Sequence, residues 1–294
     1  MPIGFLEDCN TPVFRNLLIA DSGKGHVEEM VRMLQDIPSL KAAGVSLLHV
    51  VPEQAQASAQ DHRADAQYLI QSAITRMGLD PQRVKSIVRE GDTKQTVLKV
   101  AEEENSDLIV MGSRGLGRLQ SILANSTSQY VFQLSTRPML LVRDDLYVRH
   151  VNRVMVTIDG TGVGEDALRS ACELVREIPG GTLTGVHVVS QGTAPTRGGR
   201  SKSDELLAAA QQKALSYGIE FKSLTVEGKD IGRAVCQAAK EINADLLVIA
   251  SQDRRPLVAR GLVDLDKLLG GSVSDYIRVH APAPVLLVRE PERS

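Results

Sequence analysis

Two kinds of hydrophobic pattern alternate along the chain. In segments 17–20, 47–51 and 108–110 nearly every position is apolar, which is typical of strands buried on both faces of a parallel sheet. In segment 27–37 the apolar residues instead recur three and four positions apart, and this spacing predicts an amphipathic helix. The resulting order βαβαβαβαβ predicts an α/β fold, an open parallel sheet sandwiched between helices.

This pattern occurs twice in the chain. Asp21 and Asp159 each follow a short apolar run, and they are 138 positions apart, as are several other matched pairs. Past the fourth strand of each copy the offset becomes 146, which indicates an eight-residue insertion at about residues 252–259. Residues 1–146 and 147–294 are therefore predicted to be two homologous domains, each an open parallel-sheet α/β sandwich.

Several candidate site residues follow predicted strand ends. Asp21, Val50 and a glycine-rich loop at Gly112 all lie at or just past the end of a strand. Ligands of open parallel sheets bind outside the carboxyl ends of the strands, at the point where the strand order reverses. We therefore expect these residues to converge on one crevice.

The loop after the fourth strand has the chemistry of an anion site. Gly112-x-x-Gly115 is followed by nine residues and then by Asn125-Ser126, just before a predicted helix. Glycine lets a backbone come close to a ligand, and the free N–H groups at a helix N-terminus bind anions without a cationic side chain. The same residues also suit a simpler interpretation, in which glycines serve tight turns and Ser, Thr or Asp only cap helices.

With its strand-end Asp, the L-H-V segment of strand two and the P-x-L-L-V last strand, this loop resembles the universal stress protein family. ATP-binding members of that family carry G-x-x-G, nine residues and G-[S/T] after the fourth strand. The resemblance covers both repeats and almost the whole chain. It implies an adenine nucleotide alpha hydrolase-like fold in each repeat and binding of ATP, AMP or ADP, with Mg²⁺ accompanying the phosphates.

The resemblance also implies a role for individual residues. Asp21 would lie against the nucleoside, and Val50 would offer its backbone to the adenine edge. Met111, Gly112 and Gly115 would surround the ribose and first phosphates. At the start of the next helix, the outer phosphates would meet Asn125, Ser126 and Thr127. The matching candidates in the second repeat are Asp159, Val188, Gly261, Gly271, Ser272 and Val273.

The two copies depart from the family pattern in opposite ways. The first keeps both early glycines but has Asn125 where the family has glycine. The second keeps Gly271-Ser272 but has Ala250 at the first glycine position, together with the insertion. The insertion lengthens the segment between Ala250 and Gly271 and so separates the two parts of the predicted nucleotide loop. The first repeat is therefore expected to be the better nucleotide site.

Composition excludes several classes of partner. A formal net charge of −2, with 3% aromatic residues and no Trp, argues against nucleic acid. No apolar run approaches the ~20 residues that a membrane helix needs, and the acidic start predicts no signal peptide. Three widely spaced cysteines predict neither a disulfide framework nor a zinc site, so a cytoplasmic location is expected.

The sequence therefore predicts a tandem universal stress protein that binds ATP as a regulatory ligand and signals to a protein partner. The last strands, 139–142 and 285–288, are expected to pair within one chain as a pseudo-dimer, and such chains to form homodimers. Asn125 and Ala250 favour an alternative, a nucleotide-free interaction module. A second alternative is a slow ATPase, although the sequence shows no nucleophile–base pair.

Overall fold

The computed structural model describes residues 13–21, 27–52, 59–113, 127–146, 148, 150–189, 201–251 and 272–289. Within these ranges the strands form one ten-stranded sheet. The strands are β1 (Asn16–Ala20), β2 (Gly44–Val51), β3 (Val84–Glu90), β4 (Leu108–Ser113), β5 (Met139–Arg143), β6 (Arg153–Thr157), β7 (Thr182–Val189), β8 (Phe221–Glu227), β9 (Leu246–Ala250) and β10 (Val285–Val288).

Helices cover both faces of this sheet, as its apolar strands require. The helices are α1 (Glu28–Leu34), α2 (Pro38–Ala42), α3 (Ala59–Met77), α4 (Thr93–Glu103), α5 (Thr127–Leu134), α6 (Gly162–Arg176), α7 (Lys202–Ser216), α8 (Ile231–Glu241) and α9 (Val273–His280). One core joins the sheet to α1, α2, α3, α6 and α7, and a second core joins the other face to α4, α5, α8 and α9. Each core contains residues of both repeats.

The strand order is β3-β2-β1-β4-β5-β10-β9-β6-β7-β8, so each repeat contributes one half of the sheet. The paired strands within each half are parallel, which confirms the predicted fold class. At the centre β5 and β10 run antiparallel, with Met139 opposite Leu287 and Leu141 opposite Val285. The predicted pairing of the two last strands within one chain is therefore present.

Strand order reverses once in each half, at β1 beside β4 and at β6 beside β9. Chains leaving the carboxyl ends of these neighbouring strands diverge to opposite faces of the sheet, and this leaves a crevice between them. Asp21 directly follows β1, and Asp159 lies two residues past β6. Both predicted strand-end acids therefore lie at a switch point.

Two predicted boundaries were wrong. The helix predicted over 27–37 ends at Leu34, and a new helix begins at Pro38, because the residue before a proline is driven into an extended conformation. The fourth strand does not end at residue 110. It continues to Ser113, and Gly112 pairs with Val142 inside the sheet rather than lying in a loop.

Two buried arginines join the halves of the sheet. Arg143, which follows Val142 on β5, donates from Nη1 to the carbonyls of Val279 and Ala281 at 2.7 and 2.9 Å. These carbonyls end helix α9 of the other repeat, where a cation is favoured. Arg289 occupies the equivalent position after β10 and donates from Nη2 to the carbonyl of Phe132 in α5. Each repeat therefore stabilises a helix end in its neighbour.

Candidate functional site

A cavity of about 550 Å³ lies at the carboxyl edge of the second half-sheet. The ends of β6, β7 and β9 form its base, and the starts of α6, α8 and α9 form its rim. Sixteen residues of the described part line it: Thr157, Ile158, Asp159, Thr161, Val186, His187, Val188, Ile231, Val235, Ile249, Ala250, Ser251, Ser272, Val273, Ser274 and Ile277. The predicted residues Asp159, Val188, Ser272 and Val273 are thus brought together.

Three helix N-termini meet at this cavity. Thr161 is the N-cap of α6, Ile231 is the first residue of α8, and Ser272 is the N-cap of α9. Each helix start carries unpaired N–H groups and the positive end of a helix dipole. The described lining residues include no lysine or arginine. An anionic ligand would therefore be held by backbone N–H groups and hydroxyls rather than by side-chain cations.

Hydroxyl groups are concentrated at the start of α9. Ser272 Oγ accepts a hydrogen bond from the backbone N–H of Asp275 at 3.1 Å and lies 3.0 Å from Ser274 Oγ. Ser274 Oγ in turn lies 3.4 Å from Ser251 Oγ at the end of β9. Ser251 and Ser274 are both buried. This side of the cavity thus carries three hydroxyl groups joined in one hydrogen-bonded chain.

Asp159 lies directly over the start of α6. Its Oδ1 accepts from the backbone N–H and the hydroxyl of Thr161 at 2.9 and 2.8 Å. A Cβ on Gly164 would come within 2.1 Å of the same oxygen, so that position needs glycine. Gly160 has φ +75°, which also favours glycine. Gly160 is therefore explained by its backbone conformation and Gly164 by the nearby Asp159 carboxylate, and Asp159 has a structural role besides facing the cavity.

The histidines of β2 and β7 both bind a backbone carbonyl at a strand end. His187 Nδ1 lies 2.6 Å from the carbonyl oxygen of Ile158, and His49 Nδ1 lies 3.3 Å from that of Asp21. Because a carbonyl only accepts, Nδ1 carries a proton in both contacts. His187 also lines the cavity, which its position within a strand did not predict.

The first repeat places its described candidates at the corresponding strand and helix ends, but Asp21 occupies the position of Ile158 rather than that of Asp159, because the N–H of Ile158 bonds to Val186 as that of Asp21 bonds to Leu48. Asp21 is buried and donates its backbone N–H to Leu48, while Met111 lies opposite Ala20 on the adjoining strand. Val50 is buried near the end of β2, Gly112 is half-buried in β4, and Thr127 begins α5. Five further candidates lie outside the described residues: Gly115, Asn125, Ser126, Gly261 and Gly271.

The two described cysteines, Cys172 and Cys236, are buried free thiols. Burial raises the pKa of Cys172 to about 12 and that of Cys236 to about 11. Both thiols therefore stay protonated at neutral pH and react slowly. The described ranges contain no group of three or more His, Cys, Asp or Glu side chains able to hold a metal ion. No helix in these ranges is long and apolar enough to cross a bilayer.

Several lining residues were missed from the sequence. Thr161 stands two residues after the predicted Asp159, which is its signal in the sequence, and Ser251 matches Ser113 of the first repeat, so repeat alignment contains a signal for Ser251. Ile231, Val235 and Ile277 carry no such signal. Their apolar side chains fit the helical pattern of a core, and only the fold brings them to the cavity.

Comparison with known proteins agrees with this architecture. The model of the universal stress protein family matches twice, over residues 14–143 and 150–289. A universal stress protein of Synechocystis is 31% identical over 137 residues, which are 44% of this chain and 86% of that protein. A universal stress protein of Mycolicibacterium smegmatis is 26% identical over 218 residues, 70% of this chain and 69% of that protein.

A solved structure is similar over nearly the whole chain. The crystal structure of a universal stress protein from Archaeoglobus fulgidus has a TM-score of 0.72 and 21% sequence identity. The similarity covers 95% of this chain and 97% of that one, and it supports the fold. With two family matches that together span most of the sequence, this chain belongs to the universal stress protein family and carries two of its domains in tandem.

Proposed function

We propose that this protein binds an adenine nucleotide, ATP above all, as a regulatory ligand in a stress response. The observation that carries the proposal is the cavity at the carboxyl edge of the second half-sheet, where three helix N-termini converge. Its volume of about 550 Å³ lies within the range of small-molecule sites. Family membership supports the stress-response role.

The chemistry of the cavity suggests an orientation for the nucleotide. Val188 and Asp159 would face the nucleoside, because one offers an apolar wall and the other an acceptor for hydroxyl or amino groups. Ser272 and Ser274 would face the phosphates at the positive end of α9. Mg²⁺ would enter on the phosphates, since such ions commonly take one or two carboxylates plus phosphate oxygens. Asp21, Val50, Gly112 and Thr127 would form the equivalent site in the first repeat.

Isothermal titration with ATP, ADP and AMP tests the proposal. We expect measurable heat at submillimolar nucleotide and a rise in melting temperature. Val273→Trp is designed to block the second-repeat cavity, because Val273 lines it and is 42% exposed, so the larger ring need not disturb the core. Thr127→Trp is the matched variant in the first repeat. Absence of heat and of any thermal shift at millimolar ATP would contradict the proposal.

A second candidate function is a nucleotide-free interaction module. Ile231 and Val273 at the cavity are 44% and 42% exposed, whereas the first repeat has Thr93 and Thr127 at the equivalent positions. Exposed apolar side chains at a rim suit contact with another protein. Native mass spectrometry of freshly purified protein discriminates the two, because bound nucleotide adds a defined mass that a nucleotide-free module lacks.

We further propose a cytoplasmic protein with its domain boundary at residues 146/147, assembling as a homodimer of tandem chains. The two described cysteines are free and buried, which suits a reducing compartment. Cell fractionation tests the location, and mass photometry of the purified chain tests the homodimer. Recovery of the protein in a fraction free of cytosolic markers would reject the cytoplasmic location. A single peak at the monomer mass at micromolar concentration would reject the homodimer.

A further inference from the structure

A partly buried carboxylate links the second-repeat cavity to helix α5 of the first repeat. Ser272, which lines the cavity, donates from Oγ to Asp275 Oδ2 at 3.1 Å. Gln133 of α5 donates from Nε2 to both oxygens of the same carboxylate, at 3.1 and 3.2 Å. The Asp275 side chain is 13% exposed. Hydrogen bonds to an ionised group in such a low-dielectric position are strong and directional.

A second link reaches the same helix from another part of the cavity. Arg289, only 3% exposed, donates from Nη1 to the carbonyl of Ser251 at 3.2 Å and from Nη2 to the carbonyl of Phe132. Ser251 lines the cavity and Phe132 belongs to α5. The guanidinium groups of Arg278 and Arg289 also lie 6.0 and 5.9 Å from the centre of the Phe132 ring. Two of the three cavity serines, Ser251 and Ser272, are thus linked to the first repeat.

The hydrogen bond between Gln133 and Asp275 has no equivalent with the two repeats exchanged. The repeat offset of 146 places Val279 at the position of Gln133 and Gln129 at the position of Asp275. Valine has no side-chain donor, so this pair cannot reproduce the amide–carboxylate contact. Helix α5, which begins at Thr127 in the predicted first-repeat site, is therefore linked to Asp275 by a hydrogen bond that has no counterpart in the opposite direction.

We propose that Gln133 is a positioning residue for the second-repeat cavity, setting the orientation of Ser272 through Asp275 and so coupling that cavity to the first repeat. The coupling to ligand rests on the proposed nucleotide function, whereas the positioning of the α9 start does not. Gln133 lies in the first repeat and is not among the cavity-lining residues. Its effect on the cavity is therefore a test of communication between repeats.

The test uses the full chain with Gln133→Glu, which places a second carboxylate against Asp275. We expect hydrogen exchange of residues 272–281 to speed up about tenfold, and nucleotide affinity at this cavity to fall about tenfold. The swap Gln133→Glu/Asp275→Asn restores an amide–carboxylate pair and should recover both. Gln237→Glu is the matched control, because Gln237 forms the same kind of bond with Glu241 on the exposed face of α8.

Each outcome decides the proposal. Recovery by the swap, with little change in the Gln237→Glu control, supports it. If Gln133→Glu resembles the control in both hydrogen exchange and nucleotide affinity, the positioning role of Gln133 is overturned. Nucleotide binding by the unaltered protein is not affected by that result. If the unaltered protein binds no nucleotide, the proposed function fails and exchange alone decides the positioning role. Should Gln133→Glu not fold, Gln133→Met removes the donor without adding charge and must show the same direction.

Discussion

The two repeats share a backbone plan but fill the interior differently. In the first, Leu47 of β2 is fully buried and Val84 of β3 packs in the same core. In the second, the equivalent residues are Gly185 and Phe221, and a Cβ on Gly185 would come within 2.3 Å of Phe221 Cζ. The side-chain volume has moved from one strand to its neighbour. The fold constrains the total side-chain volume packed at this place in the core, and it does not constrain which of the two strands supplies that volume.

A similar exchange occurs between helices beside the sites. Lys94 of α4 has its Nζ 5.7 Å from the centre of the Tyr130 ring, a cation–π contact between two half-buried side chains. In the second repeat Gly232 takes the lysine position, and a Cβ there would lie 2.9 Å from Cδ1 of Tyr276. The Tyr276 ring packs directly on the α8 backbone and stacks on His280 at 4.2 Å. The aromatic residue is retained, but its partner is different.

Gly185→Leu should have the largest effect on stability. The new side chain collides with Phe221, and overpacking of a core costs about 3 kcal/mol. Gly185→Leu/Phe221→Val reproduces the first-repeat pair and should recover most of the loss. Urea denaturation followed by circular dichroism measures both. Equal destabilisation in the single and double variants would show that the two strands do not exchange volume.

Replacing Arg289 or Arg143, the buried arginines that join the two halves of the sheet, should have the next largest effect on stability. Arg289→Met leaves the carbonyls of Ser251 and Phe132 without this donor, and we expect a loss of about 3 kcal/mol in the free energy of unfolding. Arg143→Met should cost about 2 kcal/mol, because Arg143 is slightly more exposed and its partner Asp145 stays hydrated. Guanidinium denaturation gives the order of the two losses, and the reverse order would contradict this assignment.

The acids before β4 and β9 provide a smaller contrast. Asp107 accepts from the backbone N–H of Arg15 and of Asn16 with different oxygens, so Asp107→Asn must lose one bond, about 1 kcal/mol. Asp245 accepts both equivalent bonds with Oδ2 alone, and its other oxygen binds only the half-exposed Arg153 side chain. Asp245→Asn should therefore cost about 0.5 kcal/mol or less. Thermal denaturation of the two variants, measured in parallel, tests whether the order holds.

The smallest expected effect is on pH dependence. Burial, with help from the charges of Arg143 and Arg233 and against that of Asp230, lowers the pKa of His280 from 6.5. The unfolded chain therefore takes up this proton first, and stability is lost as pH falls below about 6.5. His280→Leu installs the residue of the first repeat at this position and should lessen the loss between pH 7.5 and 5.5. Parallel pH profiles of the two proteins would exclude a contribution from His280.

Much of this architecture is readable in the sequence. Apolar runs such as 108–110 locate the strands because a buried parallel strand needs apolar residues on both faces. The repeat places Asp21 and Asp159 at equivalent strand ends, and the structure puts both at a switch point. Periodicity is less informative at boundaries. Gly112 resembles a loop residue because it is glycine, yet it pairs with Val142, since the sheet continues wherever a neighbour is available.

The details that set the two sites apart were not readable. The glycine at 185, where the first repeat has Leu47, is explained only by the ring of Phe221. That residue is distant from Gly185 in the sequence but lies on the neighbouring strand of the sheet. Gln133 has no pattern that marks it as the partner of Asp275. Such contacts depend on how a helix of one repeat packs against a helix of the other. A single sequence does not indicate which polar residues that packing will bury.

The antiparallel pairing of β5 with β10 has a consequence for how this protein can change. In an assembly of identical subunits, a substitution at such an interface appears on both sides and must complement itself. Because both sides here belong to one chain, each position is altered singly. A glutamine can face an aspartate without an aspartate having to face a glutamine elsewhere. Covalent linkage also holds the two sides together at any dilution, so weak individual contacts suffice while specialisation proceeds.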